Sequence, residues 1–147
     1  MANSTRHGFF RVAAGCPRTR IADPARNASE ILDLIAEARG KGVQLLVTPE
    51  LSLSGYTAAD LLFQEATLLR AVEESLAKIC AKTAKLDMVI AVGLPLARDS
   101  RLFNAAAILQ QGRVQGIVVK SFIPNYKEFY EGRWFSEIGR ASCRERV

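Results

Sequence analysis

Apolar residues follow two rhythms along this chain. Unbroken apolar runs read as buried strands, and apolar residues spaced three and four apart read as helices. The first run, residues 9–16, stops at Pro17 and predicts a strand. Asp23-Pro24 then offers an N-cap followed by proline at the first helical position. Ala28, Ile31, Leu32, Ile35 and Ala38 fall on one helical face, and Gly40 or Gly42 ends that helix. Residues 43–47, interrupted only by Gln44, predict a second strand that halts at Thr48-Pro49-Glu50. A loop around Ser54-Gly55-Tyr56 leads to a second helix whose buried stripe is Leu69, Val72, Leu76, Ile79 and Cys80. Residues 88–94, 103–109 and 114–119 predict three more strands. The last two are joined at Gln110-Gln111-Gly112-Arg113, which reads as a hairpin turn.

The resulting order is β-α-β-α-β-β-β. Strands alternating with helices at the front predict an α/β fold with a helix-covered sheet, and the later hairpin makes that sheet mixed. No internal repeat or low-complexity segment interrupts the pattern. Residues 120–135 break both rhythms, being aromatic, charged and aperiodic. They read as an ordered loop carried by a strand, where functional sites usually gather.

Composition narrows the class. The 147 residues make one domain or less, and 49% hydrophobic with 24% charged residues is globular. A net charge of +5 and a pI of about 9.4 raise the question of nucleic acid. The basic residues are scattered, however, with no aromatic-interleaved stripe, so they read as a solvated surface and no nucleic-acid partner is expected. No apolar leader core precedes the first strand, and no run approaches the roughly 18 apolar residues of a membrane span. No membrane partner is therefore expected. Cys16, Cys80 and Cys143 are an odd number without paired spacing, which suits a reducing cytoplasm. Cys16 in the first strand and Cys80 on the helix stripe read as small buried hydrophobes. His7 is the only histidine, and no metal-ligand constellation is expected.

Residues 137–147 have neither the pattern nor the turn logic of what precedes them. The codons GAG-ATC-GGA-AGA-GCG encode their first five residues and contain a common sequencing-adapter stretch. They read as a non-native read-through tail, the alternative being a genuine short basic tail. The expectation is a partial domain over residues 1–136 whose natural chain is longer.

Three features at strand ends carry candidate chemistry. Glu50 follows the second strand, at the rim where α/β sheets collect their sites and where a carboxylate can act as a general base. The alternative is a surface or loop-capping glutamate. Lys120 ends the last strand and can stabilise a developing oxyanion, or simply reach water along its stem. Tyr126, Phe129 and Glu131 set rings beside a carboxylate, which suits a small polar ligand. The alternative is a loop pinned by aromatic anchors.

Together these features resemble the carbon–nitrogen hydrolase (nitrilase) superfamily over about residues 5–136. The stretches that carry the resemblance are Val47-Thr48-Pro49-Glu50-Leu51-Ser52-Leu53-Ser54-Gly55-Tyr56 with Asp60-Leu61-Leu62, and then Val92-Gly93-Leu94-Pro95 and Phe103-Asn104-Ala105-Ala106. Lys120 with Pro124-Asn125-Tyr126 and Phe129-Tyr130-Glu131 completes the set. The Pro-Glu segment is moderately specific alone, and its combination with the lysine loop is strongly so. Within the superfamily, the Asp-Leu-Leu segment and the Pro-Asn-Tyr loop resemble the glutaminase domains of glutamine-dependent NAD+ synthetases more than stand-alone amidases.

The resemblance implies an α-β-β-α sandwich, of which the front part is present, and a Glu-Lys-Cys triad. Glu50 would be the general base and Lys120 the oxyanion stabiliser. Glu131 would be the supporting second glutamate, and Tyr126 and Phe129 would shape a glutamine pocket. The nucleophilic cysteine would follow the lysine loop by several tens of residues, so this chain is expected to be inactive by itself. ATP and Mg would serve a synthetase domain joined in cis, and the intact protein would be a homo-oligomer. Missing strands would leave bare edges and an uncovered apolar face, predicting poor solubility. Two other readings share the residues: a stand-alone amidase or carbamoylase, and a non-enzymatic basic module that would bind nucleic acid in a salt-sensitive way.

Overall fold

The computed structural model describes residues 8–58 and 65–138. His7, Asp60-Leu61-Leu62, Cys143 and the tail beyond Ile138 lie outside the described residues. The elements are β1 (Val12–Ala14), α1 (Pro24–Gly40), β2 (Leu45–Val47), α2 (Ala66–Thr83), β3 (Val89–Arg98), β4 (Arg101–Gln110) and β5 (Arg113–Val119). Single 3-10 turns lie at Tyr56–Ala58 and Glu131–Arg133. The element order matches the sequence expectation. The strands form one five-stranded sheet in the order β1-β2-β3-β4-β5. β1, β2 and β3 run parallel, while β3-β4 and β4-β5 pair antiparallel. The second sheet of the expected sandwich is not among the described residues.

Local chemistry accounts for the elements. Asp23 caps α1 by accepting the Arg26 N–H at 3.0 Å, and Pro24 starts the helix. α1 buries Ala28, Ile31, Ile35 and Ala38. On α2 the fully buried line is Leu68, Val72, Ser75, Ile79 and Thr83, which keeps Val72 and Ile79 of the expected stripe. Leu69, Leu76 and Cys80 flank it, half-buried. Thr83 fits inside because its hydroxyl donates to the Ile79 carbonyl at 2.9 Å. Both helices cover one sheet face, where Leu46, Ile90, Val92, Leu94, Ala107 and Leu109 meet them in a single core. The opposite face is open, with Val12 and Val118 each 60% exposed.

Two boundaries differ from expectation. β1 is only Val12–Ala14, and Phe9, Phe10 and Cys16 are exposed, so Cys16 is not a buried strand residue. An edge strand with one neighbour offers an apolar run little to pack against. β3 and β4 extend to meet in a second tight hairpin, where Asp99 (φ 50°) and Ser100 (φ 58°) both occupy the left-handed region. Without glycine that turn carries no sequence signal. The expected hairpin at Gln111 (φ 49°) and Gly112 (φ 74°) has the same double left-handed geometry.

Candidate functional site

The segment after β2 crosses over β3 rather than running along the rim. Thr48 N–H donates to the Ala91 carbonyl at 2.9 Å, and Leu53 N–H to the Gly93 carbonyl at 3.0 Å. Gly93 N–H donates to the Thr48 hydroxyl at 3.2 Å, which lies 2.7 Å from the Ser52 hydroxyl. The buried hydroxyls of this stretch thus take up backbone groups that the crossing leaves without a ladder. Asn27 of α1 adds a tie, its Nδ2 donating to the Leu53 carbonyl at 3.1 Å. The crossing is close enough that only glycine fits beneath it. A Cβ on Gly93 would sit 2.2 Å from the Pro49 carbonyl oxygen.

This loop delivers Glu50 beside the end of β5. Lys120 Nζ donates to Glu50 Oε2 at 2.9 Å and to Glu131 Oε2 at 3.1 Å, linking carboxylates from two loops through one ammonium. Glu131 is 2% exposed, an unusual burial for a glutamate. It is satisfied by Lys120 and by Tyr56, whose Oη donates to Oε1 at 2.5 Å. Asn104 on β4 is also 2% exposed, and its Nδ2 donates to Glu50 Oε2 at 3.2 Å. Glu50 itself stays open, its side chain 51% exposed.

Residues 120–135 combine both arrangements that the sequence left open, aromatic anchors in a core and rings beside a carboxylate. Phe135 and the partly buried Trp134 and Ile123 anchor the segment in a small second core with Leu51, Ala58, Leu68 and Leu102. Ser136 N–H donates to the Leu102 carbonyl at 2.7 Å and fixes the far end. Tyr126 and Phe129 instead face one another edge-on, ring centroids 5.9 Å apart. With Tyr56, Pro49, Pro124 and the Glu50-Lys120-Glu131 group they line a cavity of about 430 Å³. A second hollow of about 210 Å³ lies on the other side of Glu50 and Lys120, over Gly93 and Asn104.

All five expected site residues therefore converge on one cavity. Tyr56 and Asn104 were visible only as parts of longer motifs, and nothing in the sequence singled out their polar ends. Neither described cysteine lines either hollow. Burial pushes the Cys80 thiol up, away from thiolate. Among the described residues no group of His, Cys, Asp or Glu could hold a metal ion, and no helix is long and apolar enough to cross a membrane.

The electrostatics predict a pH response. Burial alone would lower the Lys120 ammonium, but its hydrogen bonds to Glu50 and Glu131 and their charges outweigh that, and the net direction is upward. Desolvation raises the Tyr56 phenol, and its hydrogen bond to Glu131 and the nearby carboxylate charges push the same way. Both groups hold their protons more tightly folded than unfolded. The stability they contribute is complete below their ordinary values, 10.5 and 10.0, and is lost as pH rises through the raised folded values. The urea midpoint should fall between pH 9.5 and 11, a range of about 1.5 units around those ordinary values, and Tyr56→Phe should flatten part of the fall. An identical slope in Tyr56→Phe would mean that the phenol contributes nothing.

The model of the carbon–nitrogen hydrolase family matches residues 11–140. Over 127 residues the chain is 46% identical to the glutamine-dependent NAD(+) synthetase of Mycobacterium tuberculosis, covering 86% of this chain and 19% of that protein. It superposes on the glutamine-dependent NAD(+) synthetase of Cytophaga hutchinsonii with a TM-score of 0.82 at 30% identity, covering 89% of this chain and 22% of that one. An amidase from Nesterenkonia sp. shares the fold alone, with a TM-score of 0.72 at 24% identity, over 89% of this chain and 49% of that one. The chain thus spans about a fifth of the length of the synthetases it matches. With the family model matching most of its length, and a lysine bridging two glutamates at the mouth of the cavity, the chain belongs to the carbon–nitrogen hydrolase family.

Proposed function

We propose that these residues form the front of a glutamine amidohydrolase domain that supplies ammonia to ATP-dependent amidation of deamido-NAD+ in the cytoplasm. The observation that carries this reading is the Glu50-Lys120-Glu131 line on the aromatic-walled cavity. Glu50 takes the proton of a cysteine thiol contributed by residues outside this chain, and the thiolate attacks the side-chain amide carbon of glutamine. Lys120 stabilises the oxyanion as the tetrahedral intermediate forms. The amide nitrogen leaves as ammonia with the proton held by Glu50, and water then hydrolyses the thioester to glutamate. Glu131 holds Lys120 in place, and Tyr126 and Phe129 shape the pocket. The 147 residues alone release no ammonia, because Cys16 and Cys80 lie away from the base and oxyanion stabiliser and Cys143 falls in the tail. ATP and Mg belong to a synthetase domain in cis, and the intact protein is a homo-oligomer. Residues 137–147 are a read-through tail on a partial domain of residues 1–136.

Sequencing the source DNA across codon 136 gives the natural reading frame, and the protein made from it tests the reading. Ammonia release from L-glutamine, well above that from asparagine or simple aliphatic amides, is the expected result. Hydrolysis of simple amides or carbamoyl compounds without glutamine would replace this reading with a stand-alone amidase.

A further inference from the structure

Glu50 has a positional problem. It sits on a loop, its side chain is half exposed, and its strongest partner is an ammonium. A lysine head is a compact point charge with rotatable donors, and it attracts a carboxylate without fixing its orientation. A general base needs one oxygen aimed at the proton it accepts.

Asn104 supplies the missing constraint. It lies within β4 among Leu102, Phe103, Ala105, Ala106 and Ala107, the one polar side chain in that stretch. Burying an amide costs free energy unless it is hydrogen-bonded, so an alanine would serve a purely structural strand better here. Its backbone is held in register opposite Pro95, and its carbonyl accepts the Lys120 N–H at 2.8 Å. One rigid residue therefore supports the base through its side chain and the lysine through its main chain. The Asn104 and Lys120 hydrogen bonds land on the same atom, Glu50 Oε2, at 3.2 and 2.9 Å. Among the described residues Oε1 accepts no hydrogen bond.

We propose that Asn104 is the positioning residue of this site, its buried amide fixing Glu50 by Oε2 so that Oε1 is the oxygen that receives the proton. The inference rests on the general-base role given to Glu50 above. Asn104 touches neither thiol nor substrate in this scheme. The charged groups facing the carboxylate are Lys120 and, beyond it, Glu131.

The test uses the full-length natural protein with Asn104→Leu, which keeps the branching of the side chain and removes the donor. Asn104→Asp keeps the shape and turns a donor into an acceptor, and it stands in if the leucine variant does not fold. Each should lower kcat by about ten- to a hundredfold with KM within about twofold, since misplacing a reacting group costs rate rather than affinity. A crystal structure of either variant should show Glu50 in more than one rotamer. A lower melting temperature with kcat unchanged would reduce Asn104 to a structural role and overturn the proposal. A parallel rise in KM would make it a substrate ligand and also overturn it. If the wild-type protein releases no ammonia from glutamine, the functional reading fails by itself, and the Glu50 conformation in the variant crystals still decides the positioning role.

Discussion

Lys120→Met should lower the unfolding free energy of the natural protein by about 3 kcal/mol and reduce its amide hydrolysis at least a hundredfold, on the order of losing one oxyanion donor. Methionine keeps the length of the apolar stem, so little of the cost comes from a cavity. It comes from Glu131, which is 2% exposed and pairs with the Lys120 ammonium. Leaving a buried carboxylate with one phenol hydrogen bond is far more costly than never burying it. Glu50 contributes little to the stability change, because its side chain is 51% exposed and water replaces the lost partner. A second substitution separates the two effects. Lys120→Met combined with Glu131→Gln should recover most of the stability and none of the hydrolysis. Urea unfolding of the wild type and both variants measures this. A loss below about 1 kcal/mol in the single variant would mean that Glu131 does not depend on the lysine for its burial.

Gly93→Ala should be the most disruptive single-methyl change in the sheet. The added Cβ would lie 2.2 Å from the Pro49 carbonyl oxygen, 2.7 Å from Leu51 N and 3.0 Å from Glu50 C, all of them backbone atoms with no rotamer to yield. The loop has to lift, against its hydrogen bonds to Ala91 and to both polar groups of Gly93. Overpacking of this kind costs about 3 kcal/mol. Displacing Glu50 from Lys120 should cost about a further hundredfold in rate. Gly116→Ala on β5 is the control, since its Cβ meets nothing within 4 Å and should change stability by less than about 0.5 kcal/mol. Equal melting temperatures for the two variants would show that the crossing at Gly93 is slack.

Much of the architecture could be read in one dimension because it rests on local rules. The Asp23-Pro24 cap, the helical periodicity of both helices and the left-handed turn at Gln111-Gly112 are chemistries of neighbouring residues, and each lies where the pattern puts it. Glu50 and Lys120 were legible for the same reason: each is a charged residue that ends an apolar strand. Their motifs, together with the Pro-Asn-Tyr loop, carry the family resemblance.

What could not be read are facts of register and approach. The Asp99-Ser100 turn has no glycine, so the full length of β3 and β4 follows only from their pairing. The outward position of Phe9, Phe10 and Cys16 depends on β1 lying at an edge of the sheet. Tyr56 reaches Glu131 across 75 residues, and Asn104 reaches Glu50 across 54. Neither contact leaves a local trace, because a phenol or an amide acquires its role only when another segment brings it a carboxylate. Sequence alone therefore established the elements, the two strand-end charges and the family they resemble. Tertiary structure decided which oxygen each donor holds, since that depends on the β3-β4-β5 register and on a loop crossing where only a glycine fits.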